Sequence, residues 1–205
     1  MSRAIVIGAG VGGLSAAIEL ASRGVDVTVL EARHRIGGKA GTIEVDGVEA
    51  DTGPSVLTLP DIFAQVLASA GTRLEEEVEL VRSSPAFRYI YPSGLELDVH
   101  HEVDRTLTSV EATLGAEPRR ELERFLGYAE RIWSASADTF VFGDAPSFAS
   151  VVRFGLKGVG QVLDIDATRS MARAIDAYVK TPELRNLFNR YATYNGSSPF
   201  RAPAT

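Results

Sequence analysis

The sequence predicts an α/β fold: a Rossmann-like βαβ nucleotide-binding core, incomplete within these residues, with a mixed α/β region inserted into it. Three observations predict it. The apolar run Arg3-Ala-Ile-Val-Ile-Gly8 ends in glycine and leads into Gly8-Ala-Gly-Val-Gly-Gly13, after which apolar residues recur at helical spacing. A second apolar run, Val25-Asp-Val-Thr-Val-Leu30, ends at Glu31. Beyond it, the turn-rich Arg35-Ile-Gly-Gly-Lys39 and a hairpin pattern stand where a second crossover helix would otherwise begin.

Each element rests on a local pattern. Residues 3–8 read as a fully buried strand of a parallel sheet. Leu14, Ala17, Ile18 and Ala21 fall on one helical face, with Gly24 as C-terminal cap. Strand, helix and second strand together have the length of one βαβ unit. Asp46-Gly47 separates residues 42–45 from 48–51 and signals a hairpin, which Asp51-Thr-Gly-Pro-Ser55 closes. Ile62, Phe63, Val66, Leu67 and Ala70 predict a helix ending near Gly71. Phe87-Arg-Tyr-Ile-Tyr91 and Leu95-Glu-Leu-Asp-Val99 flank Pro92-Ser-Gly94 as a second hairpin, whose aromatic strand either lines a pocket or fills a sheet core. Leu107, Val110 and Leu114 form a helical stripe ended by Gly115, and a longer stripe runs from Leu122 to Trp133. Asp166 is placed to cap a helix carrying Met171, Ile175 and Tyr178. Thr181 offers a capping oxygen before Pro182, ahead of Leu184, Leu187, Phe188 and Tyr191.

Residues 1–84 therefore read as the N-terminal part of a nucleotide-binding domain, and 85–205 as part of a substrate-binding, largely helical domain. A doubly wound sheet needs more parallel strands than these two. The expectation is an N-terminal piece of a longer protein, with a complete small domain as the alternative.

Of the 205 residues, 45% are hydrophobic and 23% charged, which is ordinary globular composition. The net charge of −6 argues against a nucleic-acid partner. Cysteine is absent, which excludes disulfides, iron–sulfur clusters and thiolate chemistry. Neighbouring His100 and His101 would point to opposite faces of a strand, so no metal is expected. No secretory signal and no apolar stretch approaching ~20 residues is visible, so a cytoplasmic protein is expected.

The chemistry concentrates at the N-terminus. Gly8 allows the tight strand-to-helix turn, Gly10 lets backbone approach a pyrophosphate, and Gly13 lets helix and strand pack closely. Free N–H groups and the helix dipole then meet the phosphates. Glu31 stands near the ~20-residue offset of a carboxylate that binds a ribose hydroxyl, and would repel the 2′-phosphate of NADP. The fingerprint does not by itself separate NAD from FAD. The segment after Glu31 favours FAD: Arg35 and Lys39 bring cations, and Gly37-Gly38 permits a further close backbone approach.

Gly8-Ala-Gly-Val-Gly-Gly-Leu-Ser-Ala-Ala17, Val29-Leu-Glu-Ala32, Gly37-Gly-Lys-Ala-Gly-Thr42 and Asp51-Thr-Gly-Pro-Ser-Val56 resemble the bacterial-type phytoene desaturase family, carotenoid desaturases among the amine-oxidase-like flavoproteins. Leu187-Phe-Asn-Arg-Tyr-Ala-Thr-Tyr-Asn-Gly196, with Ser198-Pro199 and Ala202-Pro-Ala204, is most similar to the hydroxycarotenoid 3,4-desaturase branch. The resemblance implies a glutathione-reductase-like FAD/NAD(P)-binding fold. It implies that Gly8, Gly10, Gly12 and Gly13 lie along the FAD pyrophosphate, and that Glu31 holds the adenosine ribose. It places Arg35, Gly37, Gly38 and Lys39 near the phosphates and ribityl chain, and Gly53, Pro54 and Ser55 toward the isoalloxazine. It also implies a C-terminal flavin segment that this sequence does not contain.

In such a desaturase, flavin accepts a hydride equivalent from an allylic C–H while a proton leaves the adjacent carbon; the cofactor supplies the difficult chemistry. No catalytic base is assigned. Asp51 is a candidate by its place beside the flavin loop, and a backbone-bonding role at the turn is the stronger reading. The carotenoid substrate is a membrane lipid, and residues 148–163 carry Arg153 and Lys157 as the only charges in an apolar run. That suits a membrane-surface segment on the inner face, with a buried substrate-domain segment as the alternative. Two rival functions share the N-terminal fingerprint: a flavin amine oxidase, and a non-catalytic fragment that binds no flavin.

Overall fold

The computed structural model describes residues 2–54, 56–143, 147 and 165–204. The chain divides into two units, Met1–Val81 and Arg82–Thr205.

In the first unit, β1 (Arg3–Ile7) and β2 (Asp26–Leu30) pair in parallel, from Arg3 opposite Asp26 to Ile7 opposite Leu30. Helix α1 (Val11–Ser22) makes the crossover between them and packs on both strands. It stops where Gly24 adopts a left-handed φ of 77° and donates its N–H to the Ala21 carbonyl at 2.9 Å, the cap that the glycine predicts. The expectation of a fully buried first strand is corrected. Ala4 and Val6 are half-buried, but Ile5 and Ile7 are 67% and 86% exposed. Among the described residues, this sheet of two strands has one helix packed on it and is covered on one face only.

Strands β3 (Thr42–Val45) and β4 (Val48–Asp51) form the antiparallel hairpin that Asp46-Gly47 signals. Both turn residues have positive φ, 52° and 79°, as a type I′ turn requires. Helix α2 (Pro60–Ser69) starts with proline in its first turn, packs on α1, and ends before Gly71, whose φ is 84°. The short α3 (Leu74–Glu77) buries Leu74.

The second unit opens with the antiparallel hairpin of β5 (Phe87–Ile90) and β6 (Glu96–Val99). Helix α4 (Val103–Leu114) comes next, broken at Gly115 by a φ of 104°, and then α5 (Ala116–Phe140). Further along lie α6 (Met171–Tyr178), α7 (Pro182–Asn189) and a 3-10 turn over Arg190–Asn195. The core forms where the predicted stripes meet: Leu97, Val110, Ile175, Val179 and Leu184 are the most deeply buried large side chains.

The aromatic strand β5 belongs to this packing. The Arg190 guanidinium lies 5.5 Å from the Phe87 ring centre and 5.2 Å from that of Tyr89. The Tyr91 hydroxyl donates to the Glu183 carbonyl at 2.9 Å.

Two predicted caps are corrected. Ser170 stands at the N-cap of α6, where its hydroxyl accepts from the Arg173 N–H at 3.4 Å. Asp166 lies four residues earlier; it pairs with Arg169 and accepts from the Tyr128 hydroxyl at 2.5 Å. Two partners that stabilise its negative charge hold the Asp166 carboxyl below the usual range, the Arg169 hydrogen bonds most of all. At α7, Pro182 does sit in the first turn, but the Thr181 side chain makes no cap bond. Its backbone N–H instead donates to Oε2 of Glu121 at 2.9 Å, and Glu121 is only 4% exposed.

Candidate functional site

The first unit bends sharply at Gly8. Its φ of 102° lies in the region that favours glycine, and its N–H donates to the Leu30 carbonyl at 2.7 Å. A Cβ on Gly13 would sit 1.9 Å from the Gly8 carbonyl oxygen, so that glycine is required by the backbone itself. Gly10 is the N-cap of α1 and brings no capping side chain; no acidic residue occupies the first turn. The amide end of the helix is thus left without side-chain partners from its own cap. Gly12 faces open space, with nothing within 4 Å of where a Cβ would stand.

The Glu31 carboxylate is turned toward this junction. Oε2 accepts from the Ala9 N–H at 2.7 Å, and Oε1 from the Arg33 N–H at 2.9 Å. These backbone bonds, Ala9 first, hold its carboxyl below the ordinary value because they favour the charged form.

The loop after β2 closes over the same place. Gly37 donates its N–H to the Ala9 carbonyl at 2.8 Å and forms an isolated parallel bridge with Gly10. A Cβ on Gly38 would come 3.0 Å from the Gly10 Cα, so two glycines from separate segments permit the approach. Beside them lies a cleft of about 440 Å³, lined by Arg33, Gly38, Lys39, Thr52, Gly53 and Pro54. Gly53 is also required: a Cβ there would stand 2.4 Å from the Lys39 carbonyl oxygen.

Arg35 is engaged elsewhere. Its Nη1 donates to Thr42 Oγ1 at 2.9 Å and to Glu49 Oε1 at 2.8 Å, which ties the loop to the hairpin. The Thr42 hydroxyl and Arg35 together hold the Glu49 carboxyl low. Ser55 and residues 148–163 lie outside the described residues. Sequence reasoning passed over Arg33 and Thr52. Arg33 stands two positions past Glu31, a spacing that the fingerprint does not cover. The backbone bond sought for Asp51 is made by its neighbour: Thr52 donates both N–H and hydroxyl to the Gly41 carbonyl, each at 2.8 Å. Asp51 itself is exposed at the end of β4, opposite Thr42.

A strand, a bare glycine junction, a crossover helix and an inward-facing carboxylate make a dinucleotide-binding unit in outline. The model of the family described as flavin containing amine oxidoreductase matches residues 11–188. The chain belongs to this family. Among curated proteins, this family member is 34% identical to the hydroxyneurosporene desaturase of Rubrivivax gelatinosus over 99% of the chain and 39% of that protein. It is 32% identical to the 4,4'-diapolycopene oxygenase of a Methylomonas species over 98% of the chain and 40% of that protein. It is also 32% identical to the phytoene dehydrogenase of Streptomyces griseus, over 98% and 39%. The chain thus spans about two fifths of the length of these relatives. Among solved structures, a triple mutant of putrescine oxidase from a redesign of cofactor binding matches with a TM-score of 0.50 at 20% identity. It covers 94% of this chain and 36% of that one. The fold is that of the amine-oxidase flavoproteins. Among the described residues no group of three or more His, Asp or Glu is placed to hold a metal ion, and no helix is long and apolar enough to cross a membrane.

Proposed function

We propose that this chain supplies the ADP-binding part of the FAD site in a flavin-dependent carotenoid desaturase. The observation that carries the reading is the Glu31 carboxylate, bonded to the Ala9 N–H at a strand–helix junction that holds Gly8, Gly10, Gly12 and Gly13. The residues fit the cofactor. Of the glycines assigned to the cofactor, Gly8, Gly13, Gly37, Gly38 and Gly53 are explained by backbone geometry. Gly12 is not: the fold has room for a side chain there, and a diphosphate lying against the first turn would need that room.

In this reading the amides of Gly10, Gly12 and Gly13 meet the pyrophosphate, and Glu31 accepts from the adenosine ribose. Gly37 and Gly38 bring the loop backbone close. Lys39 and Arg33, in the wall of the cleft, stand nearer to free cations than Arg35, which Glu49 neutralises. Gly53 and Pro54, which line the cleft, approach the flavin side. Bound FAD supplies the hydride-accepting chemistry. Residues 1–84 form part of the flavin domain and 85–205 part of the substrate domain. The carotenoid substrate rests on the activities by which the three relatives are named.

Titrating the purified protein with FAD and following the quenching of flavin fluorescence tests the site. Glu31→Gln weakens binding by about 10- to 100-fold, the worth of one hydrogen bond to a charged group. Unaltered affinity sinks the reading. Incubation with hydroxycarotenoid, phytoene and simple amines separates desaturase from amine oxidase by which compound reduces the flavin. The apolar composition of residues 148–163 supports a peripheral position on the membrane. Liposome flotation falls on replacing Val152 and Phe154 by Asp; unchanged flotation removes that part of the proposal.

A further inference from the structure

The second unit holds a separate cavity of about 150 Å³ between the end of β6 and helices α4, α5 and α7. Its wall is mostly apolar, with Val110, Leu126, Leu187 and Phe188 in it and Val103 at the rim, 54% exposed, and it also takes in His100 and Tyr191. The Thr106 hydroxyl in the wall is already engaged, accepting from the His100 N–H at 2.9 Å and donating to the His100 carbonyl at 3.1 Å. The hollow therefore selects chiefly by shape and apolarity; His100, whose buried Nδ1 has no hydrogen-bond partner, is the polar group in its lining left unmatched. Native cores seldom leave voids much larger than a water molecule, so an apolar hollow of this size calls for an occupant.

Its size limits what can enter. About 150 Å³ accommodates a group the size of a benzene ring. A linear polyene is many times longer than that and fits only end first. We infer that this cavity is a subsite for the terminal branched hydrocarbon group of an isoprenoid substrate. This deepens the carotenoid reading above and rests on it.

Binding of a detergent-dispersed carotenoid to the purified protein, read from the shift of the polyene absorption bands, tests the subsite without flavin. Val103→Trp closes the rim from a position that is half in solvent, and Leu126→Phe fills the hollow from within. Each raises the apparent Kd for the polyene by about 10-fold or more, the worth of displacing one buried apolar group. Turnover in the flavin-loaded protein follows the same order through KM, with kcat and flavin content retained. Should Leu126→Phe fail to fold, the rim variant decides. Wild-type polyene affinity in Val103→Trp at unaltered thermal midpoint overturns the inference and marks the hollow as a packing void. Loss of FAD binding with polyene binding intact overturns the flavoenzyme reading instead.

Discussion

Gly12 and Gly13 are neighbours with opposite demands. A methyl group on Gly13 meets the Gly8 carbonyl oxygen at 1.9 Å, and neither backbone can give way cheaply. Gly13→Ala therefore costs about 1–3 kcal/mol or more by overpacking. A methyl group on Gly12 meets nothing, so Gly12→Ala changes stability by no more than about 0.5 kcal/mol. Its effect falls on FAD, whose affinity drops while the thermal midpoint holds. Thermal melts and FAD titrations on the two variants separate a fold-bearing glycine from a ligand-bearing one. Glu31 adds a pH signature. Its carboxyl is lower in the folded chain than the ordinary ~4.3, so its stabilisation is fully present above that value. It is lost as pH falls through the lowered folded value. Wild-type protein should show a loss of stability on acidification below the ordinary carboxylate range that Glu31→Gln lacks, measured by urea midpoints at falling pH.

At the scale of elements, local rules worked where a backbone conformation alone was at stake. Asp46-Gly47 turned the hairpin, and Gly24, Gly71 and Gly115 ended helices, because positive φ belongs to few residues. They failed where a distant side chain competed. The start of α7 is secured by Glu121 of α5, 60 positions away in sequence, so the Thr181 hydroxyl is not needed there. Glu121→Ala leaves the Thr181 N–H unpartnered beside a hole and costs about 2–3 kcal/mol, whereas Thr181→Val costs less than about 0.5 kcal/mol. Chemical denaturation of both variants reads the difference; equal costs would restore the hydroxyl as the cap. Asp166 went astray for the same reason, since Tyr128 and Arg169 outcompete the amides of α6.

At the scale of the whole molecule the two units differ in how they are held. The second has a contiguous core running from Leu97 through Val110 and Ile175 to Leu184. In the first, the buried apolar residues among those described are Ala9, Ala17 and Leu74, and one sheet face carries exposed Ile5 and Ile7. Amide exchange should be slow in β6, α4 and α5 and markedly faster in β1 and β2. Hydrogen-exchange mass spectrometry checks the contrast, and FAD should narrow it by slowing the first unit. Ile175→Ala should cost about 2–5 kcal/mol through the cavity it opens, and unfold the second unit at lower denaturant.

The sequence by itself determined the βαβ unit, both hairpins, the helical stripes and the glycine fingerprint with its carboxylate. Each of these is encoded by residue type and spacing within a few turns of chain. Only the tertiary structure decided which cations remain available, that Arg35 pairs with Glu49 while Arg33 and Lys39 face the cleft. It alone decided that Thr52 rather than Asp51 ties down the turn, and that an apolar hollow opens between β6 and three helices. Spacing along a chain fixes backbone geometry, but charge pairing and cavities depend on which surfaces meet, and those partners are set by packing across dozens of residues.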